Sequence, residues 1–301
     1  MKALQLTPAC KDYLWGGQRL KTDFGVQSDL NPLAEAWVLS CHPDGPSLLP
    51  DGTTLADYLA AHPEAAGSHC EAFADFPVLV KLIDAKNDLS IQVHPSDAYA
   101  LEHEHQYGKT EMWVVLAAEP GAFLYYGFDH EITKEEFARR IRENTLTEVL
   151  HAAPVQKGDV FFIPSGTLHA ICHGIVIAEV QQNSNVTYRV YDYGRVGADG
   201  KPRALHIEQA LAVTDLRPAP ALDFAPHLGQ CAYFTTDLRR APFGETVDET
   251  SFAALLVTEG TGTLAMDGET MPLAAGDCLF VPAGSGTFQV EGACSVLVTR
   301  V

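Results

Sequence analysis

Short apolar runs bounded by Gly, Pro, Asp and Asn recur along the chain, and that pattern predicts a mainly β protein. Strands are expected over FPVLVKLIDA (76–85), LSIQVH (89–94), EMWVVLAA (111–118), AFLYYGF (122–128), DVFFIP (159–164) and IVIAEVQQ (175–182). Valine, isoleucine and aromatic residues are enriched in them, and several alternate with a period of two. Helical spacing is rarer. Thr133 with Glu136 forms a capping-box pattern ahead of Phe137, Ile141 and Leu146, which predicts a helix from Thr133 to about Leu150. Shorter helices are expected over 54–62, 97–105 and 207–213. The stretch 217–226 (RPAPALDFAP) carries Pro218, Pro220 and Pro226 and cannot sit within a sheet ladder, so it reads as a linker.

Beyond that linker the strand pattern returns, and with it an internal repeat. GDVFFIPSGTLHAI (158–171) matches GDCLFVPAGSGTFQV (276–290), and WVVLAAEPGAFLYYG (113–127) matches ALLVTEGTGTLAMDG (254–268). Two copies of one β-unit predict two related small-barrel domains. The expected division is a first domain over 1–216 with helical insertions, the linker 217–226, and a smaller domain over 227–301. Aligned without gaps, the copies differ in their polar residues. Thr287 falls at the position of His169 and Phe252 at that of Glu111, so only the first copy carries candidate chemistry.

That chemistry centres on Gln92-x-His94. On a strand, residues i and i+2 share a face about 7 Å apart, so both side chains can converge on one metal ion. Glu111 and His169 add ligand-type groups from later strands, and a His2Glu set completed by Gln92 or water suits zinc; iron, manganese and cobalt remain open by ligand type. His103 and His105 sit among Glu102 and Glu104 and are better explained as a solvated helix end. His173 lies four residues past His169, about 13 Å along an extended strand, too far to share the ion.

Composition narrows the partners. The 301 residues hold 39 acidic and 20 basic side chains, a formal net charge of −19, which argues against a broad nucleic-acid or anionic-membrane surface. The seven cysteines are scattered and form no CxxC pair, so neither a disulfide framework nor a thiolate–zinc motif is expected. No run of about 18 apolar residues occurs, and the first residues lack a signal-like apolar core; a cytoplasmic protein with no membrane span is expected.

The strings VKLIDAKNDLSIQVHPSD, GKTEMW, IPSGTLHAI and AEVQQNSNVTYRVYDYGR resemble those of type I mannose-6-phosphate isomerases of the cupin superfamily, in particular the short bacterial branch. The resemblance runs from WGGQRL near residue 15 to about Leu211, with the repeat region as a weaker tail. It implies two cupin-type β-barrel (jelly-roll) domains. It also implies a zinc-dependent aldose–ketose isomerase that interconverts mannose 6-phosphate and fructose 6-phosphate through a cis-enediol, with one zinc per chain.

Residue by residue, the resemblance places His94, Glu111, His169 and Gln92 at the zinc ligands, Arg189 at the active-site arginine, Lys109 at an active-site lysine and Glu179 at a carboxylate beside the substrate. Glu179 is the candidate proton shuttle, with Lys109 or a zinc-bound water as rivals. Lys109 and Arg195 are available to hold the phosphate, and Asn185 lies among the substrate-binding positions. Asn185 stands where longer members carry Asp, and Arg195 where they carry Lys. The implied partner is a small sugar phosphate bound by a monomer. Competing readings are a metal-dependent oxygenase, whose sites usually begin with His-x-His where Gln92-x-His94 stands here, and a non-catalytic sugar-binding cupin, which would have lost its ligands.

Overall fold

The computed structural model describes residues 2–196 and 200–301. Its strands form three antiparallel sheets. One is six-stranded, in the order Ala9–Lys11, Glu35–Leu39, Val78–Ala85, Ile175–Gln182, Glu111–Ala118, Val160–Ile163. A second is five-stranded, in the order Tyr188–Tyr191, Ile91–Val93, His169–Ile171, Phe123–Phe128, Leu150–Pro154. These two sheets share a core of Ile83, Trp113, Val115 and Ile177 from the first and Leu124, Ala153 and Ile171 from the second. They form the walls of a jelly roll that stays open as two sheets and does not close into a barrel.

The third sheet has eight strands and takes in the residues after the linker, dominated by the long strands Ala253–Met266 and Gly286–Arg300. It also recruits Leu4–Leu6 from the other end of the chain, paired antiparallel with Cys278–Val281. Pro218 makes a single bridge to Gly127, and 217–226 is otherwise without regular structure. We propose the division at 217–226 on that ground, with Leu4–Leu6 contributed to the second domain.

The long apolar runs have a direct explanation. Val78–Ala85 and Ile175–Gln182 are buried at every position because both faces of their sheet are covered. Ile83, Trp113 and Ile177 point into the jelly roll. Val80, Leu82, Met112, Val114 and Val180 point the other way, onto Phe252, Leu256, Phe280 and Leu297 of the second domain. Phe252 is fully buried there, 5.3 Å from the Phe280 ring and 4.9 Å from Phe76. Phe252→Ala is therefore expected to lower unfolding stability by about 3–5 kcal/mol through the cavity it leaves. Urea denaturation followed by fluorescence checks this; a midpoint unchanged from the parent would mean the two domains do not depend on this seam.

The repeat is real in three dimensions, but its register differs from an ungapped alignment. Gly158 and Gly276 open the shared turn at φ +97° and +95°. The following Asp159 and Asp277 each accept a hydrogen bond from a backbone N–H three residues earlier, at 2.8 and 2.7 Å. Glu111 pairs with Ile163, the residue before Pro164, whereas the partner of Val281 before Pro282 is Ala253. Ala253, not Phe252, thus occupies the Glu111 position. The later turn is one residue longer in the second copy, and Phe288 takes the inward position of His169 while Thr287 faces out and bonds Thr246. Because successive strand residues face opposite ways, a one-residue slip exchanges core for surface. The inward positions Ala253 and Phe288 are apolar, and among the described residues the second domain holds no cluster of three metal-ligating groups.

Helices fall where expected, with one difference. Thr133 accepts from the N–H of Glu136 at 3.1 Å and caps Lys134–Glu143, but Asn144 turns left-handed at φ +60° and stops the helix; Leu146–Val149 is a separate 3-10 turn. The other expected helices are Leu55–Ala61, Asp97–His103 and Ile207–Val213, and a single helical turn at Arg19–Thr22 adds to them.

Candidate active site

Two rows of side chains face each other across the first jelly roll. On the six-stranded sheet Lys81 stands directly opposite Glu179, Glu179 opposite Trp113, and Gln181 opposite Glu111. Strand parity directs all of these inward, with Ile83 and Ile177. On the five-stranded sheet Arg189 stands opposite Gln92, and Gln92 opposite His169. His94 follows two residues after Gln92, where the chain leaves the strand.

His94, Glu111 and His169 come together and are buried, with one donor atom from each lying within 4.8 Å of the others. Among the described residues this is the cluster of His, Cys, Asp and Glu suited to a metal. Each imidazole is oriented by the backbone, since His94 Nδ1 lies 2.9 Å from the Val186 carbonyl and His169 Nδ1 2.9 Å from that of Thr167. A carbonyl only accepts, so Nδ1 carries the proton in both rings and Nε2 presents a lone pair. Burial, reinforced for His94 by the Lys109 ammonium, pushes both imidazoles down, His94 to about 3, so they are neutral at pH 7. Burial works to raise Glu111, but Lys109 and the two imidazoles outweigh it and hold its carboxyl well below the usual range.

One contact in this cluster is unfavourable by itself. His169 Nε2 lies 3.3 Å from Glu111 Oε1, both are buried, and neither has a hydrogen-bond partner. Two lone pairs face each other with no proton between them. A cation bound by both would satisfy them, and a His2Glu donor set suits a divalent metal. The residues fit such an ion.

Around the cluster lies a charged floor. Lys109 Nζ contacts the Glu111 carboxylate, lies 3.2 Å from His94 Nε2 and 3.5 Å from Glu179 Oε1. Glu179 is buried; Trp113 donates its indole N–H to Oε2 at 2.9 Å, and Lys81 Nζ is 3.1 Å from Oε1. Lys81 in turn lies 3.9 Å from Glu35. Burial opposes the Lys81 charge, but Glu179 and Glu35 outweigh it and hold the ammonium above its ordinary range.

Lys109 and Gln92, which adjoin the buried cluster, line a cleft of about 270 Å³ together with Lys81, Glu179, Asn185 and Arg189 among others; the three cluster residues themselves are not in its lining. Its lining carries four cationic side chains, Lys81, Lys109, Arg189 and Arg203, against the two carboxylates Glu35 and Glu179. A chain of net charge −19 therefore concentrates positive charge here. Arg189 donates to the Ala204 carbonyl at 3.0 Å, while its Nε is buried without an acceptor. Burial and the neighbouring Arg203 guanidinium push Arg189 down from its usual value.

Arg195 takes a different place from the rest. Its guanidinium is bound to Asp192 and to the Asp88 carbonyl, and it faces an adjoining hollow that shares Tyr13, Trp15 and Arg203 with the cleft. Asn185 is exposed at the rim, bonded to Asp44 at 3.1 Å. Gln92 is half-buried beside the cluster, and Ser90 Oγ is 3.4 Å from its side-chain oxygen. His103 stacks on Tyr99 at the surface and His173 pairs with Asp88, both away from the cluster. Sequence reasoning missed Lys81, Glu35 and Arg203. A lysine within an otherwise apolar, two-faced strand was the available signal for Lys81, since such a residue must find a counter-charge; Arg203 had none.

Comparison with known proteins places this geometry in a family. The family model for the catalytic domain of type I phosphomannose isomerase matches residues 3–117, and that for the mannose-6-phosphate isomerase cupin domain matches 227–301. The mannose-6-phosphate isomerase of Streptococcus mutans is 37% identical over 95% of this chain and 94% of its own length. The crystal structure of the Bacillus subtilis mannose 6-phosphate isomerase superposes over 100% of both chains with a TM-score of 0.93 at 33% identity. A mannose 6-phosphate isomerase solved with zinc and yttrium bound shares the fold, with a TM-score of 0.78 at 17% identity over 99% of both chains.

Proposed function

Since the chain belongs to the type I mannose-6-phosphate isomerase family and is an aldose–ketose isomerase of that kind, we propose that His94, Glu111 and His169 hold one zinc ion and that the cleft above them converts mannose 6-phosphate to fructose 6-phosphate through a cis-enediol. The observation that carries this reading is the facing pair of unpartnered acceptors, His169 Nε2 and Glu111 Oε1, buried against Lys109, which lines the cleft together with three other cations. The donor set and the zinc-bound fold relative support zinc; Gln92, beside the three, is a candidate fourth ligand. When bound, a zinc ion supplies Lewis-acid polarisation of the sugar oxygens.

The chain's own residues do the rest. The open-chain sugar must lose the proton on C2 and gain one on C1. Glu179 is the group we assign to that transfer, taking the proton on its carboxylate and returning it to the neighbouring carbon. Lys109, 3.5 Å away, pairs with the carboxylate before the first transfer and after the second, and is the rival for the role. The buried Nε–H of Arg189, which has no acceptor in the protein, is available to the oxygen on which enediolate charge develops. The phosphate is assigned to the Arg203 and Arg195 end, where cleft and hollow meet, with Asn185 at the rim. Ile83, Leu89 and Ile171 line the cleft between these ends and keep water from the carbanionic carbon.

The test is metal removal. Dialysis against a chelator should lower turnover of mannose 6-phosphate at least about 100-fold, the loss of roughly 3 kcal/mol of charge stabilisation, and added zinc should restore it. Full turnover in protein whose metal content has fallen to a trace would overturn the assignment.

A further inference from the structure

Among the described residues the second domain has no metal-binding cluster of its own, yet one of its side chains reaches the first domain's site through a short chain of hydrogen bonds. Lys109 does not stand on a strand. It sits in the loop between Asp97–His103 and Glu111–Ala118, and its ammonium reaches the cluster only if that loop is held. Three backbone N–H groups hold it. Gly108 donates to Asp97 Oδ1 at 2.8 Å, Lys109 to the Pro95 carbonyl at 3.0 Å, and Thr110 to Gln182 Oε1 at 2.7 Å. The fit is tight, since a Cβ on Gly108 would lie 2.5 Å from the Pro95 carbonyl oxygen.

Two of these anchors are themselves linked. Gln182 donates its amide N–H to Asp97 Oδ1 at 2.9 Å, so Asp97 Oδ1 serves Gly108 and Gln182 together. The other oxygen, Oδ2, accepts from the hydroxyl of Tyr233 at 2.6 Å. Tyr233 belongs to the second domain, in the turn between Gly229–Gln230 and Thr235–Arg240, and its ring rests 5.9 Å from Phe73. That turn is closed by a Cys231-to-Phe234 backbone bond of 2.9 Å, which leaves the ring little freedom.

We propose that Tyr233 is a positioning residue for Lys109: by orienting the Asp97 carboxylate it fixes the backbone on both sides of Lys109, and so makes the metal-free second domain part of the geometry of the site. The inference rests on the reading of Lys109 as an active-site residue. Burial and the adjacent Asp97 both push the Tyr233 hydroxyl upward, so it remains a donor across the working pH range. A hydrogen bond to a charged acceptor constrains direction as well as distance, and small misplacements of a reacting group are costly in rate.

The experiment uses the full-length, zinc-loaded enzyme. Tyr233→Phe keeps the ring and removes the hydroxyl; kcat should fall roughly tenfold while KM and bound zinc stay at parental values. Amide hydrogen exchange at Gly108 and Thr110 should accelerate by a similar factor. Asp97→Asn should reproduce both effects, and in a Lys109→Met background Tyr233→Phe should lower turnover no further. Parental kcat in Tyr233→Phe, unchanged exchange at Gly108 and Thr110, or a loss that multiplies in full with that of Lys109→Met would each overturn the proposal. Parental turnover in Lys109→Met would instead overturn the reading of the site beneath it, and the exchange data, which do not depend on activity, tell the two failures apart.

Discussion

Glu111→Gln should leave the protein without stoichiometric metal and with kcat/KM reduced at least about 1000-fold, roughly 4 kcal/mol of transition-state stabilisation. The substitution keeps size and strand register but removes the one charge in the ligand set. An amide oxygen is a poorer zinc ligand than a carboxylate, and its NH2 group would face His169 Nε2, converting a metal site into a hydrogen bond. A second effect follows from the same change. The cluster with its charged floor holds three carboxylates, Glu35, Glu111 and Glu179, and two ammonium groups, Lys81 and Lys109, all buried. Without Glu111, Lys109 has Glu179 alone within ion-pair distance, and breaking a buried pair costs about 3–5 kcal/mol. Zinc analysis, steady-state kinetics and chemical denaturation read the three effects separately. A folded Glu111→Gln enzyme that retains one zinc and normal turnover would remove Glu111 from the site.

The second large effect is expected at Glu179. Glu179→Gln should retain zinc, since none of the three ligands changes, yet lose about 10³–10⁴ in kcat and with it exchange of the C2 hydrogen with solvent. It should also destabilise the fold, because Lys81 would keep only Glu35, at 3.9 Å, as counter-charge. That structural cost must be separated from the chemical one. Adding Lys81→Met to Glu179→Gln removes the orphaned ammonium and should recover most of the stability without recovering C2 exchange. Near-normal exchange in folded, zinc-loaded Glu179→Gln would transfer the proton to Lys109 or to water. The geometry makes the experiment informative, because Glu179 is not an isolated base. Two lysines and the Trp113 indole contact its carboxylate, so the substitution disturbs the charged floor as well as the proposed base.

Much of this was readable in the sequence, for reasons that can be named. The six long strands were found because each is an unbroken apolar run or a clear alternation, and runs such as IVIAEVQQ exist because both faces of that sheet are covered. The candidate ligand residues were legible because they lie in short strings of distinctive local chemistry: a two-residue strand spacing for Gln92 and His94, and a Gly-Asp turn ahead of His169. The Gly-Asp pair is itself local physics, a left-handed glycine followed by an aspartate that caps the turn.

What escaped was whatever depended on register or on distant partners. Phe252 and Thr287 looked like the second copy's counterparts of Glu111 and His169, but the strand register puts Ala253 at the first of these positions and a turn one residue longer puts Phe288 at the second. Arg195 carried the right charge, and only the fold commits it to Asp192. Lys81 was hidden inside a strand read for its apolar pattern, and Glu35 opens a strand, Glu35–Leu39, that the reading of the sequence did not single out.

The chain's sequence by itself determined its elements, its duplicated unit and the residue types that bind a metal, because hydrophobic periodicity, turn chemistry and ligand identity are local properties. Only the tertiary structure decided which charges meet. Lys81 finds Glu179, Lys109 finds Glu111, and Tyr233 of one domain finds Asp97 of the other because strand register and domain packing bring together residues far apart in the chain. The Lys81–Glu179 pairing stands on a strand face that a shift of a single residue would have turned away from the site and onto the second domain.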